Sequence, residues 1–424
     1  MKNLFLLFLC QFLTIVAADG ECKRNDPSCS EKTIAEGDTP NSDSNQEFKC
    51  DFLKNIETSK ITSEETGNTE FDKAFVFKDL KEESDTEAIR NELQSALQKM
   101  VELEHATLPL YLTGHISLDM NKSALAGINI MDVALEEMDH MHLAANLLLS
   151  IGGTPKTMDN VPKWPGHLPY GVFPDYEFNI GPLSSHQLDQ YIIVEHPADG
   201  QFEHTIGNAY TNVWNLFEVL YDKLGKNETA VFSGDFNRQT KPYVTNMLQA
   251  RNAICQIVDQ GEGASAGKNP YIDGVKGEVA HYWRFREIRE GHLIGGFDKE
   301  TGEVFFNSTA IEYTTYNCSV RNKNQILNDE KGLSGIEKDQ FKEYVTNIKK
   351  CNNDYREILV ALDEYFGSVV NATGPQLAKA IHHMYDLINC ADNAAKNPLN
   401  FTVTPEGEPK YNCLIPSFEI DYIA

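Results

Sequence analysis

The sequence is poor in positive charge, and it lacks the cysteine and glycine motifs of several common functional classes. It has 37 Lys and Arg residues against 63 Asp and Glu residues, a formal net charge of −26. A chain with this charge would be repelled by a phosphate backbone, which excludes nucleic acid as the expected partner. No two cysteines form a C-x-x-C pair, which argues against a zinc ribbon. There is also no nucleotide-binding glycine loop and no internal repeat.

Long apolar runs are missing as well, apart from one at the start of the chain. The run from Leu4 to Val16 has a lysine before it and two small residues, Ala17 and Ala18, after it. Roughly a dozen residues are too few to span a bilayer, which takes about 20. The pattern predicts a signal peptide over residues 1–18 and a secreted, extracellular protein without a membrane anchor.

Cysteines and glycosylation motifs agree with secretion. One of the nine cysteines lies within the apolar run. The others are Cys22, Cys29, Cys50, Cys255, Cys318, Cys351, Cys390 and Cys413. In an oxidising compartment we expect this even set to form four disulfides, with a pairing that the sequence leaves open. Asn-X-Ser/Thr sequons, which predict a glycoprotein, begin at Asn121, Asn227, Asn307, Asn317, Asn371 and Asn400.

The chain divides into segments by its apolar spacing. Residues 19–85 are acidic and polar with little periodicity, and they predict a poorly ordered N-terminal arm. The segments that follow show the 3.6-residue apolar spacing of helices with one buried face. They are Ile89–Tyr111, Ile128–Ile151, Phe202–Leu224, Pro242–Glu262 and Val275–His292. Between the second and third lies a Pro- and Gly-rich stretch, Gly152–Pro182, and then a short helix predicted at Ser184–Glu195.

Two helical hairpins joined by one long connection have the topology of a ferritin-like four-helix bundle. We therefore predict a mainly α protein with a ferritin-like domain at residues 86–295 and a long crossover within it. Residues 296–424 predict a disulfide-stabilised helical extension, because four of the cysteines lie there. Its helices are predicted at Ile336–Phe366 and Pro375–Ala395, after an irregular or strand-like stretch.

Several acidic residues interrupt the apolar faces of the predicted bundle helices. Glu104 lies in the apolar stripe of the first helix, and Glu262 ends the fourth. Glu137 and His140 are three residues apart, so both project from one turn of the second helix. Buried carboxylates are costly unless they are paired or bind a cation, so this placement predicts metal ligands. A salt-bridged or hydrogen-bonded core group is the alternative for each of them.

A Glu-x-x-His spacing is by itself weak evidence for a metal site. It occurs three times, starting at Glu102, Glu137 and Glu278, where about one occurrence is expected by chance. Glu102 lies off the apolar face and is predicted to be solvated. For the remaining carboxylate the sequence leaves Glu195 and Glu203 open, with a preference for Glu195. The complete set of predicted metal ligands is Glu104, Glu137, His140, Glu195, Glu262, Glu278 and His281.

Seven blocks of the chain resemble one known family. They are ELEHATLPLYL (102–112), EEMDHMHLAANLLLSIGGTP (136–155), VPKWPGHLPYG (161–171), IVEHP (193–197), TIGNAY (205–210), QGEGAS (260–265) and HYWRF (281–285). The blocks resemble the ferritin-like domain of the iminophenylpyruvate dimer synthases, bacterial enzymes that oxidatively couple tryptophan-derived imines. The resemblance covers about residues 90–295.

This resemblance implies a metal-dependent oxidative domain. Glu104, Glu137, His140, Glu262 and His281 fall within its motif blocks. It also implies haem as a cofactor, which a bundle histidine could ligate. The family has an acidic or amide residue at the position of Asn208, and this chain departs from the acidic form because Asn208 offers no carboxylate. Secretion departs from a cytosolic pathway enzyme. The substrate therefore stays open.

Two functions follow from these observations. The first is an extracellular oxidoreductase in which two iron ions, or another transition metal, activate oxygen or peroxide. No catalytic residue is assigned, although Tyr210, Tyr282 and Trp283 are candidates to line the cavity. The alternative is a non-catalytic secreted glycoprotein that sequesters metal or contributes to a matrix, with the bundle as its scaffold. Small-molecule substrates or metal ions are the expected partners, and the sequence leaves open whether the chain forms a homo-oligomer.

Overall fold

The structure of the chain is a computed structural model that describes residues 69–76, 85–235, 238–240, 242–262, 269–272, 277–367 and 375–420. The predicted signal peptide and most of the predicted N-terminal arm lie outside these residues. Helices make up most of what is described, which confirms the mainly α prediction. None of the described helices combines the length and the apolar character that crossing a bilayer requires.

Helices and strands of the described residues are numbered in chain order. The helices are α1 (Glu70–Phe75), α2 (Thr86–Ile116), α3 (Ala124–Ser150), α4 (Ser185–Val194), α5 (Ile206–Lys223), α6 (Glu228–Val231), α7 (Met247–Glu262), α8 (His281–Glu290), α9 (Lys323–Lys331), α10 (Gly335–Gly367) and α11 (Pro375–Lys396). The strands are β1 (His292–Phe297), β2 (Val304–Ala310), β3 (Cys318–Val320) and β4 (Cys413–Ile415). A single 3₁₀ turn, Pro169–Gly171, lies between α3 and α4.

Helices α2, α3, α5 and α7 form the predicted bundle. Helix α2 packs against α3 and α5, and α7 packs against the same two helices, so the four surround one core. The apolar stripes face that core, with Leu97 and Met100 of α2 and Phe217 of α5 fully buried. Residues 151–205 connect α3 to α5 and include α4. The ferritin-like bundle with a long crossover is therefore confirmed.

One part of the predicted N-terminal arm is folded. Residues 70–75 form α1, whose N-terminus is closed by a capping box between Thr69 and Asp72. Phe71 and Phe75 are buried, and α1 packs against α2 and α5. The segment was missed because two aromatic residues in one short helix produce no visible periodicity. The boundary of the packed structure therefore lies before residue 86.

Two bundle helices begin later than predicted. The helix expected from Phe202 begins at Ile206, because the Thr205 side chain accepts a hydrogen bond from the Asn208 N–H at 3.1 Å and caps it. The helix expected from Pro242 begins at Met247, where Asn246 Oδ1 accepts from Gln249 N at 2.9 Å. Side-chain caps at these positions override the apolar spacing before them.

The helix predicted at Val275–His292 is wrong over its first part, since α8 begins only at His281. Gly277 has a positive φ of 82°, and Val279 forms a β-bridge with Tyr271. Backbone hydrogen bonds therefore run across this turn and not along a helix. As a consequence Glu278 and His281 do not project from one helical turn.

The C-terminal extension packs on the bundle. Helices α10 and α11 lie against each other, and their apolar residues belong to the same core cluster as those of the bundle. Strands β1 and β2 form an antiparallel hairpin, while β3 and β4 pair in parallel. Disulfides join Cys318 to Cys413 and Cys351 to Cys390, and Cys255 of α7 is disulfide-bonded as well. Two of the four predicted disulfides thus lie among the described residues, while Cys22, Cys29 and Cys50 lie outside them.

Candidate metal centre

Five of the predicted ligands meet between the bundle helices and α8. Glu104 comes from α2, Glu137 and His140 from α3, Glu195 from the C-cap of α4, and His281 from the first turn of α8. Each is at most 6% exposed. Three carboxylates and two imidazoles so deeply buried need strong compensation, because burial penalises every charged form.

One oxygen of each carboxylate accepts a hydrogen bond from a hydroxyl group. Tyr210 donates to Glu104 Oε1 at 2.6 Å, and Thr107 donates to Glu137 Oε2 at 2.8 Å. Tyr111 donates to Glu195 Oε1. The second oxygen of each carboxylate, Oε2 of Glu104, Oε1 of Glu137 and Oε2 of Glu195, faces a histidine. The three hydroxyls thereby fix the orientation of the carboxylates.

His140 presents its Nδ1 atom to the carboxylates. Its Nε2 lies 3.0 Å from Gln260 Oε1, which can only accept a hydrogen bond. The neutral ring therefore carries its hydrogen on Nε2 and leaves a lone pair on Nδ1. Nδ1 lies 3.2 Å from Glu137 Oε1 and 3.8 Å from Glu104 Oε2.

His281 is held in the same way from the other side. Its Nε2 lies 2.7 Å from Glu136 Oε2, and Arg284 Nη1 donates to the other oxygen of Glu136 at 3.0 Å. Its Nδ1 lies 2.8 Å from Glu137 Oε1 and 3.6 Å from Glu195 Oε2. Although it is buried, this nitrogen makes no hydrogen bond of good geometry. A carboxylate that orients an imidazole whose other nitrogen is directed at further carboxylates is the usual arrangement around a bound metal.

The pKa values of these groups show how strongly they interact. Burial, followed by the charge of Glu137, raises the pKa of Glu104 to about 8, and the same two causes raise that of Glu195. Burial alone would lower the pKa of His140, but the adjacent Glu137 carboxylate raises it to about 9. Burial alone would raise the pKa of Glu137, which His140 and His281 instead lower. The cluster therefore retains protons at neutral pH, at atoms where a metal cation would compete with them.

The space between these groups is small. Glu104, Glu137, His140, Glu195 and Gly261 line a cavity of about 20 Å³, which is far too little for a porphyrin. A Cβ atom at Gly261 would lie 3.2 Å from Glu195 Oε2. Helix α7, the fourth helix of the bundle, thus has a glycine without a side chain at this position. The carboxylate that lies there is that of Glu195, at the end of α4.

Other predicted ligands lie differently. The backbone of Glu262 ends α7 next to the cavity-lining Gly261, while its side chain is outside what the structure describes. Glu278 pairs with Arg284 at 3.2 Å, and its side chain is 32% exposed. Of the two alternatives for the remaining carboxylate, Glu203 is exposed. Asn208, which departs from the family pattern, donates to the backbone oxygen of Glu203 and faces away from the cluster.

Some expectations about neighbouring residues were wrong. Glu102 is 3% exposed and not solvated, because Gln98 and Asn160 donate to it from two sides. Tyr210 does line the cavity, whereas Tyr282 and Trp283 do not and instead meet edge to face, with ring centroids 5.1 Å apart.

The sequence interpretation missed the residues that orient the ligands. Glu136 was passed over because it adjoins Glu137 and so projects to another face of α3. The hydroxyl donors Thr107 and Tyr111 look like ordinary core residues in the sequence, and Tyr210 was expected to line the cavity but not to bond a carboxylate. A usable signal existed for Thr107 and Tyr111, which lie one and two turns after Glu104 on the same helix.

A four-helix bundle with a buried carboxylate and histidine cluster defines the ferritin-like class of folds. Residues 97–290 match the family described as Ferritin-like. The crystal structure of a ferritin-like protein from Caulobacter vibrioides is similar to this chain with a TM-score of 0.50 and 19% sequence identity, covering 72% of this chain and 94% of that one. No curated protein matches the sequence.

These comparisons show a ferritin-like domain in this chain. The identity to the bacterial protein is low enough that the likeness concerns the fold alone. The narrower assignment to the iminophenylpyruvate dimer synthases stays a prediction.

Proposed function

We propose that this protein is a secreted, metal-dependent oxidoreductase that holds two transition-metal ions, with iron as the leading candidate, among α2, α3, α4 and α8. The observation that carries the proposal is the common orientation of the two histidines. Both have Nε2 engaged by an acceptor outside the cluster, and both direct Nδ1 toward carboxylate oxygens.

The donors divide into two overlapping groups. Glu104, Glu137 and His140 would hold one ion, and Glu137, Glu195 and His281 would hold the other. Glu137 Oε1 lies within 3.2 Å of Nδ1 of both histidines, which makes it the shared ligand. Carboxylates that bridge two cations, together with one imidazole each, suit iron and manganese pairs in helical bundles.

Bound ions of this kind would exchange electrons with oxygen or peroxide. The chain's own residues set the conditions for that chemistry. Burial of the donors keeps bulk water away, and Thr107, Tyr111 and Tyr210 hold the carboxylates in one rotamer. Haem does not fit this site, because a cavity of about 20 Å³ has no room for the ring.

Metal content of the full-length chain, reconstituted with Fe(II), tests the proposal. We expect Glu137→Gln to lower the bound iron by about two ions per chain, since it removes the shared ligand. The matched control is Glu102→Gln, a buried glutamate on α2 that is bonded by Gln98 and Asn160 and lies outside the cluster. Iron content that is the same in wild type and Glu137→Gln would rule out this site.

A second function is favoured by the small volume of the cavity. An organic substrate does not fit into about 20 Å³, so the centre could retain metal without turning over an organic molecule. The protein would then sequester metal or serve as a structural glycoprotein. Steady oxygen consumption with a reductant supports the oxidoreductase, whereas a single uptake of iron without turnover supports sequestration.

A further inference from the structure

The cluster of Glu104, Glu137, His140, Glu195 and His281 is called the bundle centre below. A second group of side chains that can ligate a metal lies outside it, between α10 and α11. Asp354 of α10 and His383 and Asp386 of α11 each offer one ligand atom, and these atoms lie within 4.8 Å of one another. None of these residues belongs to the seven blocks that resemble a known family. The group therefore needs its own explanation.

The disulfide Cys351–Cys390 fixes the spacing of the two helices at this level. Asp354 follows Cys351 by three residues, so both lie on the same side of α10. Asp386 precedes Cys390 by four residues on α11. The acidic groups consequently face the seam between the two helices, where the disulfide already joins them.

Asp354 is the residue that ordinary packing leaves unexplained. It is only 5% exposed, and Oδ1 lies 3.3 Å from His383 Nδ1. Its other oxygen, Oδ2, is buried and has no hydrogen-bond partner among the described residues. A buried carboxylate oxygen without a partner is costly, whereas the same oxygen directed at a cation is stabilised.

Charged groups around the cluster are few. His382 is the exposed neighbour of His383, and its Nε2 lies 3.5 Å from Asp386 Oδ2. Lys350, one turn before Asp354, acts on it through its charge. No cation other than the histidines forms an ion pair with Asp354 or Asp386 among the described contacts.

We propose that Asp354, His383 and Asp386 bind one divalent transition-metal ion and so join α10 to α11 beside their disulfide. Zinc is the ion that this set of ligands favours. Two carboxylates and one imidazole are a donor set that zinc uses, with water completing the tetrahedron. Calcium and magnesium prefer oxygen-only ligands, which His383 does not provide. The ion would link the two helices, and the site is independent of the proposed function of the bundle centre.

Zinc titration of the full-length oxidised chain by calorimetry tests this site, with cobalt absorption as a second readout of coordination. We expect Asp354→Asn to bind about one zinc ion fewer per chain than wild type and to lose the corresponding cobalt bands. Asp386→Asn, whose side chain is 41% exposed and therefore tolerant of substitution, should do the same. The matched control Asp392→Asn changes an exposed aspartate of α11 that pairs with Lys396, and it should bind as wild type does.

Two results would overturn the proposal. One is wild-type zinc binding in both Asp354→Asn and Asp386→Asn. The other is loss of all zinc in Glu137→Gln, because that variant alters only the bundle centre. If Glu137→Gln still binds one zinc ion at Asp354, His383 and Asp386, the result supports the proposal. This holds even if the bundle centre proves to bind no metal.

Discussion

Individual residues orient the carboxylates and histidines of the bundle centre by bonding those of their atoms that face away from its interior. Hydroxyl groups of Thr107, Tyr111 and Tyr210 occupy one oxygen of each carboxylate. Gln260 and Glu136 occupy Nε2 of the two histidines. Once the cluster gives up the protons that it retains at neutral pH, the donor atoms on the inner side carry lone pairs, which is the requirement for binding a cation.

Changing Glu136 to Gln should weaken metal binding without removing any ligand. The Gln amide can donate to His281 Nε2, which would move the ring hydrogen to Nδ1 and block the lone pair that faces Glu137. We expect the metal affinity to fall about 10- to 100-fold, the usual effect of changing a residue that orients a ligand. Metal titration followed by absorption measures this.

Glu102→Gln is the matched control for this change, because Glu102 is equally buried but bonds to Gln98 and Asn160. Nitrogen NMR of the His281 ring, recorded at a pH high enough for the ring to be neutral, provides an independent readout, since the hydrogen is then expected on Nε2 in wild type and on Nδ1 in the variant. Unchanged affinity with the hydrogen on Nδ1 would show that Glu136 has no positioning role.

At the scale of helices, the α2–α3 contact contains a half-buried histidine whose protonation opposes folding. His115 Nδ1 lies 2.9 Å from the Gly127 carbonyl, and burial lowers the pKa of His115 below its usual value. The unfolded chain binds this proton at a pH near 6.5, where the folded chain does not. Stability should therefore fall as the pH drops below about 6.5, until the folded state also takes up the proton.

His115→Asn should flatten this part of the stability profile. The Asn amide can still donate to Gly127 O but does not titrate, so the variant should lose less stability than wild type between pH 7 and 5. Each unit of pKa difference is worth about 1.4 kcal/mol. Denaturant unfolding at several pH values measures it, with the exposed His186→Asn as control. Parallel profiles for wild type and His115→Asn would contradict the assignment.

The helices and the site residues differ in how well the sequence predicts them. The long helices were predictable because their apolar spacing repeats over several turns, and Glu137 with His140 followed from one such helix. Glu278 was misassigned because Gly277 turns the chain out of a helix that the spacing alone would continue. Glu102 was misassigned because its partner Asn160 comes from the crossover, whose path has no periodic signal. Apolar spacing within one segment carries no information about its contacts with distant, irregular segments.

At the scale of the whole molecule, the disulfides whose cysteines are both described lie in the C-terminal extension. Cys318–Cys413 and Cys351–Cys390 both lie there, whereas the bundle contains only Cys255 among the described residues. Reduction should therefore loosen α10 and α11 before α2 and α3, because the bundle is held by its buried apolar core. Hydrogen exchange under reducing conditions measures the order, with the oxidised protein as reference. Earlier exchange in α2 and α3 would contradict the prediction.

The late position of His281 in the chain has a consequence for synthesis. Glu104, Glu137, His140 and Glu195 are all made before residue 196, but the centre lacks its second imidazole until α8 has been made. Until then three buried carboxylates would face a single histidine, an arrangement whose uncompensated charge disfavours close packing. In a nascent chain that ends before α8, the bundle should consequently not pack closely around these carboxylates. Metal is therefore expected to bind only after translation has passed His281.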